Sequence, residues 1–98
     1  MNVEIGNQID EYKSQYKQAE SLAEKLNVIV DFRLYIASFN DGLFGPEVDE
    51  KDENEVVQEL ETLKKDLNQY CIEQGTNVTN INDMCDKRQQ RTNKDART

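Results

Sequence analysis

The chain contains no histidine. That removes the commonest general base, the Ser-His-Asp and Cys-His nucleophile arrangements, and zinc sites that need His. It also removes the Glu-x-x-His ligand pairs of di-iron helical bundles. Two cysteines, Cys71 and Cys85, stand fourteen residues apart, which matches no zinc motif. Nothing in the sequence points to an oxidising compartment, so both thiols are expected to be reduced. A bridge between them would instead tie down the C-terminal segment, worth about 3 kcal/mol on the entropic model. Gly42 and Gly45 fit neither a phosphate-binding loop nor a dinucleotide fingerprint. Neither an enzyme nor a cofactor is expected.

The strongest chemical signal is acidic. Asp41 to Glu61 holds nine acids and one base, Lys51. As a calcium loop starting at Asp49 it fails, because Lys51 stands at position 3, Asn54 replaces the glycine at position 6, and Leu60 stands at position 12. Two uses remain for such a run. It can be a solvated helix start matched to the helix dipole, or a surface offered to a basic partner. A surface imitating nucleic-acid phosphate is a special case of the second. Direct binding to nucleic acid is not expected from a chain with 20 acids and 12 bases.

Tyr12, Tyr16, Tyr35 and Tyr70 fall at or near apolar seam positions, where a ring is buried and its hydroxyl reaches the wet margin. A small-ligand pocket between helices, lined by such tyrosines with Lys17 or Arg33, is an alternative use. The basic C-terminal stretch, Lys87, Arg88, Arg91, Lys94 and Arg97, reads as a solvated end that can also meet an anionic partner.

The elements that must position these groups are helical. Ile5, Ile9, Tyr12, Tyr16, Ala19, Ala23, Leu26 and Val30 alternate in steps of four and three, the rhythm of a coiled-coil-like seam. Asn7 with Asp10 is the expected N-cap arrangement. From Val28 to Phe39 the chain is most apolar, and a strand reading (Val28, Val30, Phe32, Leu34, Ile36) competes with a helix reading. The helix is preferred because no other stretch offers a strand partner. It must then be covered on two sides.

The break comes at Asn40 to Pro46. Gly42 suits the position just past a helix end, and Pro46 the first turn of a new helix. Asp52 is an alternative cap, with Glu55 reaching back. A second seam follows, Val56, Leu60, Leu63, Leu67 and Tyr70, with Glu61 and Lys65 as an i,i+4 pair. Gly75 ends it. Thr76 to Asn82 reads as a linker, Asn80 as the cap of a short helix carrying Ile81, Met84 and Cys85, and the remainder as disordered.

The expected architecture is therefore all-α: a helical hairpin of two long helices with coiled-coil-like packing, a short C-terminal helix and a disordered tail. Residues 1–85 would form the domain and 86–98 the basic tail. So small a core predicts self-association, through the apolar patch from Val28 to Phe39. No apolar run is long enough to span a membrane and the first residues lack a signal-peptide pattern, so a cytoplasmic location is expected. The Asn77-Val78-Thr79 sequon would matter only in a secreted chain.

The expected function is a non-enzymatic protein-binding module, an inhibitor or assembly factor, acting on a partner protein with a basic surface. The binding residues are expected to be Phe32, Tyr35, Phe39, Leu43 and Phe44, with Glu47, Asp49, Glu50, Asp52 and Glu53 steering approach. The alternatives are a nucleic-acid mimic and an oligomer that binds a small ligand.

Overall fold

The computed structural model describes residues 3–75 and 81–96, with the side chains of residues 44 and 90–96 excepted. Four helices follow in order: α1 (Val3–Gln18), α2 (Leu22–Ala37), α3 (Glu50–Glu73) and α4 (Ile81–Ala96), with one 3-10 turn at Gly42–Phe44. No strand occurs among the described residues, and residues 28–37 lie in α2, so the helix preferred from sequence forms there and stops two residues short of Phe39. The radius of gyration is 14.1 Å, close to the roughly 13 Å of a packed chain this long.

The expected first long helix is divided. α1 ends at Gln18, and α2 starts after Ser21, whose side chain accepts a bond from the Glu24 N–H at 3.2 Å. Glu24 reaches back to the Glu20 N–H at 3.1 Å. This is a capping box in all but one position, and it satisfies donors that a continuous helix would have paired internally. The cost to the seam is Ala23, which turns to solvent, while Leu26 and Val30 resume burial. At the other end, α1 begins at Val3, so Asn7 lies inside the helix rather than capping it. Burial of Ile5 supplies the reason, since packing an extra turn outweighs a local cap preference.

α2 is the central element and touches all three other helices. Its Leu26, Val28, Ile29, Val30 and Phe32 are buried. α1 covers one side, with Tyr12 stacked on Phe32 at 5.0 Å and tilted against Tyr35 at 5.8 Å. Tyr35 then meets Phe39 edge to face at 5.1 Å. Phe32 has no exposed surface and Phe39 only 7%, so the patch expected to join two copies lies largely inside one chain. Leu34 is its main exposed member, at 45%.

α3 is the one long helix, with 24 residues. Val56, Leu60 and Leu67 are buried, as the four-three spacing predicts. Asp49 caps it, accepting from the Asp52 N–H at 2.8 Å, so neither Pro46 nor Asp52 starts the helix. Pro46 stands four residues before it. Glu61 pairs with Lys64 at 3.0 Å rather than with Lys65. Gly75, at φ +70, ends the helix where sequence placed the stop, a conformation glycine adopts freely.

α4 is longer than the short helix expected and takes in most of the stretch read as disordered. Ile81 and Cys85 are buried and Met84 half-buried, the three apolar positions named from sequence. Polar bonds hold the helix to α2: Arg33 Nη2 to Asp86 at 2.6 Å, and Arg88 to Asn27. The expected cap, Asn80, lies outside the described residues. Cys71 and Cys85 are free and fully buried. Burial pushes both thiols up, for Cys85 against the opposing pull of the Arg33 guanidinium.

Candidate functional site

The α2–α3 connection is built to hold one shape. α2 stops at Ala37, where the Ser38 Oγ donates to the Tyr35 carbonyl at 2.6 Å. Phe39 turns into the core. Asn40 follows at φ +61, a left-handed conformation that Asn tolerates better than most side chains. Its N–H donates to the Pro46 carbonyl at 2.8 Å and closes the loop. Its side chain then imitates a backbone strand pair: Nδ2 donates to the Val48 carbonyl at 2.9 Å, and Oδ1 accepts from the Val48 N–H at 2.8 Å. The left-handed residue nearest the helix end is thus Asn40, with Gly42 taking a second positive φ of +58 inside the loop.

Gly45 completes the closure by close approach. A Cβ there would lie 1.6 Å from the Ser38 carbonyl oxygen, so no other residue fits without moving the backbone. Its extended φ is ordinary; space is the constraint. Phe39 and Val48, each 7% exposed, anchor the two stems.

Between those anchors Leu43 is 100% exposed. This leucine is held out in water on a loop whose two stems are joined by the Asn40 bonds to Pro46 and Val48. Beside it runs a groove of about 510 Å³ lined by Asn40, Gly42, Glu47, Val48 and Asp49. Asp41, Glu47, Asp49 and Glu50 are exposed, and Asp52 and Glu53 are half-buried behind them. Asp49 also serves as the cap of α3. The local chemistry is an apolar knob with an acidic surround.

Of the residues expected to bind a partner, the fold brings Leu43, Glu47, Asp49 and Glu50 to one end of the molecule. Asp52 and Glu53 follow on the first turns of α3, and Phe44 lies in the 3-10 turn. Phe32, Tyr35 and Phe39 do not join them. They form an aromatic row with Tyr12 at the α1–α2 contact. Asn40 was missed as a working residue, although Asn followed two positions on by Gly is a recognisable turn signal.

A second groove lies between α1, the first turns of α2, and α3, where Tyr16 and Lys17, two of the residues suggested for a small-ligand pocket, come together. Arg33, the other cation suggested, bonds instead to Asp86 on α4. Among the described residues no group of three or more metal-ligating side chains converges, and no helix is long and apolar enough to cross a membrane. The chain matches no family model, no curated protein and no solved structure.

Proposed function

We propose that this chain is a non-enzymatic protein-binding module that inserts Leu43 into an apolar pocket of a partner whose rim is basic. The observation that carries this reading is a fully exposed leucine on a turn whose stems are closed by hydrogen bonds. A loop already ordered loses little further entropy on binding, so the gain from burying the knob is retained. That gain is about 1.5–3 kcal/mol, roughly ten- to hundredfold in affinity. Glu47, Asp49, Glu50, Asp52 and Glu53 favour encounter with a basic surface and raise the association rate.

The partner is a different protein. Two copies meeting through this end would bring acid against acid, in a chain of net charge −8. Self-association through Val28 to Phe39 is not part of the proposal, because Phe32 and Phe39 are occupied within the monomer. Val3, Leu34 and Ile72 are the large apolar residues exposed outside the turn, among those described, that a second copy could use. An inhibitor and an assembly factor are both roles such a module fills.

Affinity capture from the native host tests this, run in parallel with wild type and Leu43→Ser. A basic partner recovered by the wild type and lost with Leu43→Ser supports the reading; equal recovery overturns it. Charge-neutral changes at Glu47 and Glu50 separate the mimic of nucleic acid. There the acids carry the affinity and Leu43 is dispensable. Here Leu43 carries it, and the acids act on rate and salt dependence.

A further inference from the structure

The α1–α2 corner creates a second site that shares no residue with the Leu43 turn. Because Ser21 restarts the chain as α2, Lys25 is carried back against the end of α1. Its Nζ lies 3.3 Å from the Tyr16 carbonyl and 4.4 Å from the Tyr16 ring centre, and 5.2 Å from that of Tyr70. Lys25 thus occupies the negative end of α1 and fixes an ammonium over two aromatic faces. Lys17, one turn from the corner, is exposed.

Two carboxylates and a third cation, Lys13, line the same groove, so its net charge is one positive unit. Glu59 pairs with Lys13 at 2.5 Å, and Asp66 accepts from the Tyr16 hydroxyl at 2.8 Å. Among the described residues neither Lys17 nor Lys25 makes an ion pair with a carboxylate. The space they border measures about 430 Å³, within the range of small-molecule sites. Half-buried Leu63, with the small exposed part of Tyr16, gives it an apolar wall, and Thr62 adds a hydroxyl. An exposed Lys17 with no carboxylate partner, beside a Lys25 held by a carbonyl and two rings, is an unexpected local feature in so acidic a chain.

We propose that this groove binds a small organic anion, one carboxylate or phosphate group on an apolar body the size of an aromatic ring or short alkyl chain. The anionic group meets Lys17 and Lys25, a charge-assisted contact, and the apolar body lies on Leu63 beside Tyr16. Neither half suffices. A bare anion gains nothing from the wall and is repelled at long range by the surrounding charge. A neutral apolar molecule leaves Lys17 without a carboxylate or phosphate to meet.

The test is an amide-resolved NMR titration of the full chain with benzoate, octanoate, phenyl phosphate and inorganic phosphate, each to about 10 mM. The expected result is saturable shifts centred on Tyr16, Lys17, Lys25, Thr62 and Leu63 for at least one of the three organic anions, with a dissociation constant of about 1 mM or tighter. Benzoate or octanoate against phenyl phosphate tells which head group is preferred. Inorganic phosphate should bind at least tenfold more weakly. Lys17→Glu, at an exposed position, should weaken the organic anion at least tenfold while the rest of the spectrum is unchanged. Thr62→Trp should block the groove, and Leu43→Ser should leave binding as it is. No saturable shift with any organic anion, inorganic phosphate binding as tightly as the organic anions, or Lys17→Glu binding like wild type would each overturn the proposal.

Discussion

The chain reverses or redirects twice within its first half, and the two places are built differently. At Ala19 to Ser21 the connection is three residues long, and one capping box does the work. Tyr16 and Leu26, on either side of it, are buried, and the corner's product is Lys25 laid against Tyr16. At Ser38 to Asp49 the connection is long, and it is held by the Asn40 clamp, the Ser38 hydroxyl and the contact that only Gly45 permits. That is more constraint than joining two helices requires. Its product is an apolar side chain in water. The first corner buries Leu26 soon after it, whereas the second leaves Leu43 fully exposed, and the proposed binding role rests on that difference.

The sharpest break of this contrast is Gly45→Ala. The added methyl collides with the Ser38 carbonyl, so the loop must open, at an expected cost of about 3 kcal/mol or more in urea unfolding. Asn40→Ala comes next, at about 2–3 kcal/mol. It strands the Val48 N–H and carbonyl and puts alanine at a positive φ. Asn40→Gly relieves the φ and should recover about 1 kcal/mol of that, measured by the same unfolding.

The α1–α2 corner should register in alkaline stability. Burial, and then the bond to Asp66, raise the Tyr16 hydroxyl above the usual value near 10. The fold holds this proton after the unfolded chain has released it. Stability from this group is therefore complete below about pH 10 and falls as pH rises beyond it, by up to about 1.4 kcal/mol per pH unit. Tyr16→Phe should flatten that decline in thermal melts taken from pH 8 to 11. Raised Cys71 and Cys85 thiols add a weaker fall from about pH 9. Ser21→Ala should cost about 1 kcal/mol, seen as a lower melting temperature, with partner binding untouched.

The smallest change in stability is the one that matters most for the comparison. Leu43→Ser should move unfolding by less than about 0.5 kcal/mol, because the side chain touches nothing in the fold. A larger loss would mean that the leucine packs, and would remove the contrast between the two connections.

The capping box at Ser21 and Glu24 could have been read from sequence. The unbroken four-three rhythm across Ala19 and Ala23 hid it, since both residues are small enough to sit on a seam or off it. The fate of Phe32 and Phe39 was a different kind of failure. A helix apolar on two faces must be covered, and periodicity cannot say whether the cover is another copy or Tyr12 from the same chain. Likewise Asp49 and Asp52 are equally good caps in isolation. Burial of Val48 by the Asn40 clamp selects Asp49.

By itself the sequence determined that the chain is helical, where α3 carries its buried face, that Gly75 stops it, and that acids crowd its start. These are properties of spacing and of local backbone preference. Only the tertiary structure decided which apolar residues are core and which are surface. Burial belongs to what lies opposite a side chain, and the sequence shows Phe39 and Leu43 as two neighbouring hydrophobes. A left-handed asparagine and a glycine pressed against a carbonyl place one inside the protein and the other outside it.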